Sequence, residues 1–241
     1  MELNEIDIRV KNAFDNFVLQ ASERLKNSLK SVILHGSIVS GEHIPRHSDI
    51  NILLVVDKVD IDILDAIAGI KTKTSAGRIV PLVLSDNYIQ NSTDTFPIEF
   101  LEMQKHHTVL WGNDPLAGLK IDPKNLRHQC EWELKSKIIT MQQLYINTRG
   151  NARAAGDFLI RNLTSFIVVF KHILGLKNVL VDGQPEVLEK ICDEFGLEKD
   201  IFLEILHARQ GKLKIKDAAS SFARFLSALN KLSEQIDKLS L

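Results

Sequence analysis

Leu34-His35-Gly36-Ser37, then eleven residues, then Asp49-Ile50-Asn51-Ile52 is the stretch that decides how this chain folds. Before it, Ser31-Val32-Ile33-Leu34 has the length and β-branching of a buried strand, and His35-Gly36-Ser37 ends it. A glycine there lets backbone amides come close to a phosphate, and the serine hydroxyl adds a donor. After a polar loop with Gly41 and Pro45, Ile50 to Val56 is a second strand, apolar almost throughout and so expected inside its sheet. Side chains at i and i+2 of a strand share one face. Asp49 and Asn51 are therefore placed to address one cation together.

Working outward, Ile6, Val10, Phe14, Phe17, Ala21 and Leu25 recur at helical spacing and predict an amphipathic helix over 5–29. Residues 60–70 are expected to be helical, and 78–84 a third strand. Pro81 sends that strand to an edge or a bulge. Ser85 and Asp86 cap a short helix. Phe96-Pro97-Ile98-Glu99-Phe100-Leu101 is expected to be a fourth strand with Glu99 in its middle. A carboxylate in so apolar a run is costly to bury unless a cation or partner compensates. After about residue 120 the pattern turns helical: 123–148, opened by Asp122-Pro123, then 151–174, 185–195, 198–209 and 217–239. The expected architecture is an α/β domain with a mixed sheet over 1–118 and an all-α helical bundle over 119–241.

Totals narrow the function classes. Among 241 residues, 30 lysines and arginines face 31 acids, a formal charge of -1, which argues against coating nucleic acid by bulk charge. The two cysteines, Cys130 and Cys192, lack metal-ligand spacing and fit a reducing, cytoplasmic setting. The acidic start, Met1-Glu2-Leu3-Asn4-Glu5, does not read as a secretory signal, and no apolar run approaches the roughly twenty residues of a membrane span, so no membrane partner is predicted. His35, His43 and His47 have no cysteine partners for a zinc site. Wide apolar faces in the bundle are compatible with a homodimer.

The Gly36-Ser37, Asp49-Ile50-Asn51-Ile52 pattern resembles the signature of the polymerase-beta-like nucleotidyltransferase superfamily. Arg46 and Ser48 resemble the Arg-x-Ser-Asp sequence of its bacterial members, and the helical second half resembles its small-molecule-modifying branch. The resemblance implies a nucleotidyltransferase fold, an NTP substrate and Mg2+. It implies that Gly36, Ser37, Arg46 and Ser48 bind the nucleotide, that Asp49, Asn51 and Glu99 ligate metal, and that Asp49 and Glu99 are catalytic. The acceptor is a small molecule, a protein or an RNA end. One departure stands out. The superfamily carries a carboxylate where this chain has Asn51, whose amide keeps an oxygen but not the charge. Two outcomes stay open: a working enzyme, or a degenerate member that binds a nucleotide or a partner with weak turnover or none.

Overall fold

The computed structural model describes residues 8–41, 48–74 and 77–239. The chain divides into two compact units, Met1–Ile121 and Asp122–Leu241. In the first, helix α1 (Ile8–Leu25) buries Phe14, Phe17, Ala21 and Leu25, one stripe at helical spacing. A tight turn over Lys26–Ser28 leads into β1 (Leu29–His35). A single short turn of helix, α2 (Ser37–Ser40), follows directly. Then come β2 (Ile50–Val56), α3 (Ile61–Ala68), β3 (Ile79–Ser85) and α4 (Asp86–Asn91). Ser85 caps α4 by accepting from the Tyr88 amide at 3.1 Å, as its sequence suggests.

Two elements differ from expectation. Residues 96–101 are not a strand: Pro97–Lys105 is helix α5, and the fourth strand of the sheet is His107–Gly112, β4. Pro97 occupies the first helical position, where its missing N–H costs nothing and its fixed φ suits a helix. The buried set Pro97, Ile98, Phe100 and Met103 is a helical face. A six-residue apolar run is too short for periodicity to separate helix from strand.

The sheet order among the described residues is β3-β2-β1-β4. β1 runs antiparallel to β2 and β4, and β2 runs parallel to β3. β2 is thus interior, and Pro81 lies on an edge strand. Both faces of β2 are covered. Ile50, Ile52, Leu54 and Val56 pack with Val32, Leu34 and α1 on one side. Leu53 and Val55 pack with Ile33, Ile89, Phe100 and Met103 on the other. Burial on both faces explains the unbroken apolar run. By strand alternation Asn51 shares the face of Leu53, the side that α5 covers.

The second unit is helical: α6 (Pro123–Asn147), α7 (Ala152–Leu176), α8 (Gln184–Phe195), α9 (Lys199–Arg209) and α10 (Ala218–Asp237). α7 packs against each of the other four. At its centre Phe166 meets Phe225 edge-on at 5.2 Å, and Phe202 joins both Phe225 and Phe170, at 5.1 and 5.9 Å. By length and composition α7 is, among the described residues, the one helix able to cross a membrane, against the expectation that no stretch reached that length. Leu159, Leu163, Phe166, Phe170 and Ile173 are instead buried in the bundle, a normal use of an apolar helix.

Candidate active site at the end of strand β1

Gly36 follows the last residue of β1 with φ 78° and ψ −150°, a backbone region essentially confined to glycine. A Cβ there would also stand 3.0 Å from the Asn51 amide nitrogen. The Gly36 amide donates to the His106 carbonyl at 3.1 Å, and the Gly36 carbonyl accepts from Val39 and Ser40 at 2.9 and 3.1 Å. The turn is therefore tied both to the end of α5 and to α2. The amides of Ser37 and Ile38 open a helical turn and so have no intrahelical acceptor.

Asn51 pairs in register with His35 on β1 and with Val80 on β3. Asp49, exposed just before β2, falls on the same face by the two-residue period. The Ile50 amide donates to the Arg78 carbonyl at 2.8 Å and fixes where β2 begins. Ser48 is half-buried beside it. Arg46 lies outside the described residues.

Beneath the turn is a cavity of about 280 Å3 walled by His35, Gly36, Ser37, Glu99, Glu102 and His106, among others. Gly36, Ser37 and Glu99 thus meet, while Asp49 and Asn51 stand at the start of the neighbouring strand. Glu99 reaches the turn from helix α5 and not from a strand, a correction to the expected route. Sequence reasoning missed Glu102, whose i+3 spacing from Glu99 is a signal only once 97–105 is taken as a helix; His106 ends that helix.

Two imidazoles flank the same face. His107 pairs with His35 across β1 and β4. Its Nδ1 lies 3.0 Å from the Gln104 carbonyl and its Nε2 3.0 Å from the Asp114 carboxylate. For Asp114, burial works against ionisation, but the His107 hydrogen bond and the Leu116 and Ala117 amides outweigh it, so its carboxyl titrates below the usual range. Burial, aided by the charge of His107, pushes His35 down to about 4. Its Nε2 is a buried atom without a hydrogen-bond partner in the structure. Between the ordinary pKa of 6.5 and about 4 the unfolded chain holds a proton on this side chain that the folded protein refuses. Stability should fall as pH drops through that window, by about 3 kcal/mol for this group. Urea unfolding of wild type and His35→Asn between pH 7 and pH 4 checks this: the difference between the two should shrink or reverse in acid.

Among the described residues no group of three or more His, Cys, Asp or Glu side chains is placed to hold a metal ion. β3 contains no acid at all, and Val80 is the residue beside Asn51. The sheet itself offers one carboxylate and one amide.

The mixed sheet with its Gly-Ser turn, followed by a helical unit, has the fold of solved nucleotidyltransferases. No protein-family model matches the sequence, and no curated protein matches it. Among solved structures the chain is similar to spectinomycin adenyltransferase AAD(9) from Enterococcus faecialis, determined with ATP and spectinomycin. The TM-score is 0.59 at 14% identity, over 92% of this chain and 98% of that one. It is also similar to a nucleotidyltransferase-like protein from Exiguobacterium sibiricum 255-15, with a TM-score of 0.39 at 10% identity, over 90% of this chain and 73% of that one.

Proposed function

We propose that the chain transfers a nucleoside monophosphate from an NTP to a hydroxyl of a small-molecule acceptor, with release of pyrophosphate. The observation that carries this is the glycine-only Gly36–Ser37 turn opening onto a cavity with Glu99, in a fold shared with an adenyltransferase determined with ATP. Gly36 gives the phosphates close access to backbone amides, and the Ser37 hydroxyl donates to them. Glu99 accepts the proton of the acceptor hydroxyl as its oxygen attacks the α-phosphorus and the bond to pyrophosphate breaks. Ser48 and Arg46 extend the nucleotide contacts.

The donor set fits one magnesium ion brought by the triphosphate, with Asp49 as its protein carboxylate, since this ion commonly takes one or two carboxylates plus phosphate oxygens. It does not fit a pair of ions. A bound magnesium would supply charge neutralisation on the phosphates. Cytoplasmic residence is part of the same proposal: both cysteines are free and buried, and burial pushes their thiols up to about 12, so neither invites oxidation.

Incubation with labelled NTPs, Mg2+ and a panel of hydroxyl compounds beginning with spectinomycin is the test. Labelled acceptor with stoichiometric pyrophosphate is expected. Silence across all acceptors would count against turnover.

Asn51 and the acid-free β3 favour a second outcome, a degenerate member that binds nucleotide without chemistry. Asn51→Asp separates the two. A chain that gains transfer through this change was degenerate. One that works as wild type and loses rate on substitution was not.

A further inference from the structure

We infer that the Asn51 amide hydrogen-bonds the triphosphate directly, at the place where the superfamily pattern has a metal-binding carboxylate. This rests on the nucleotide-binding reading above and specifies one contact within it. Asn51 is the sole polar residue of β2, and its side chain lies against Gly36, with the amide nitrogen 3.0 Å from where a Cβ would sit. A phosphate seated on the side of Gly36 where a Cβ would point therefore borders this amide. Its strand neighbours, His35 and Val80, bring no negative charge. Among the described residues no three-ligand cluster exists nearby that could anchor a second ion.

The chemistry of the side chain then decides. A carboxylate beside a triphosphate repels it and needs a bridging cation to be tolerated. An amide carries two N–H donors and no charge, and it can meet an anionic oxygen without a mediator. Asn51 thus exchanges a metal-mediated contact for a direct one. Nucleotide affinity in this chain should depend on magnesium far less than that of Asn51→Asp, which sets one more carboxylate against the phosphates. If the amide instead offered its oxygen to a metal, affinity would collapse when the metal is removed.

The test measures ATP binding to the full chain by calorimetry, in excess Mg2+ and in EDTA, for wild type, Asn51→Asp and Asn51→Ala. The wild-type Kd should rise less than about tenfold on metal removal, while that of Asn51→Asp rises about a hundredfold or more. Asn51→Ala, which neither donates nor repels, should bind about tenfold more weakly than wild type in both buffers and keeps the test decisive if the aspartate variant fails to fold. Wild-type affinity that collapses in EDTA as far as that of Asn51→Asp overturns the inference and leaves the proposed function standing, as does Asn51→Ala binding as tightly as wild type. Absence of ATP binding by wild type in both buffers overturns the inference and the proposed function together.

Discussion

Asp49→Ala should lower nucleotide transfer by about a thousandfold or more while leaving the unfolding midpoint of the protein almost unchanged. Asp49 is exposed and sits ahead of the first paired residue of β2, so no core contact or ladder hydrogen bond depends on its carboxylate. Exposed substitutions of that kind usually shift stability by about half a kcal/mol at most. Its proposed work is electrostatic, as the one sheet carboxylate available to a phosphate-bound cation, with Asn51 unable to take over the charge. Loss of about 4 kcal/mol of transition-state stabilisation corresponds to roughly a thousandfold in rate. Steady-state assays with thermal unfolding on the same samples check both halves. A rate loss accompanied by unfolding would mean a structural role.

Gly112→Val should produce the largest stability loss of any single substitution on the sheet edge, with nothing chemical removed. Gly112 closes β4 opposite Ser31, at φ 84°. A Cβ there would lie 2.0 Å from the Lys30 carbonyl oxygen and 2.9 Å from the Ser31 Cα. Both are backbone atoms, so a rotamer change cannot relieve the clash. Positive φ adds further strain for a β-branched residue. The two effects together should cost about 3 kcal/mol or more. Urea unfolding followed by circular dichroism would show the midpoint fall. An unchanged midpoint would mean that β4 does not pair with β1 as described.

The legible parts of this chain were those in which one physical signal dominates. The five helices of the second unit follow from apolar periodicity and from caps such as Asp122-Pro123, and they form within a few residues of where spacing puts them. β2 announced its interior position because both of its faces are buried. The Gly36-Ser37 turn and the Asp49/Asn51 pair came from a strand-end glycine and a period of two. Phe96 to Leu101 failed because a short apolar run with a proline near its start suits either a strand edge or the first turn of a helix. The buried partners that decide it, such as Ile33 and Leu53, are distant in sequence. β4 does carry strand formers in Thr108-Val109-Leu110-Trp111, but so short a run does not stand out from the apolar stretch before it, and the strand exists through pairing with β1. The strand expected to carry Glu99 is therefore a helix. That helix sets Glu99 and Glu102 on the cavity wall beside the Gly36–Ser37 turn, and His106 follows its last residue.

Crystals of the chain soaked with ATP and Mg2+ give the most direct test of the central claim. The triphosphate should lie along the Gly36–Ser37 turn, with its oxygens toward Asn51 and any ion toward Asp49, and the cavity beside Glu99 left open for the acceptor. Nucleotide bound elsewhere on the chain, or a turn that stays free of phosphate at saturating ATP, would contradict it.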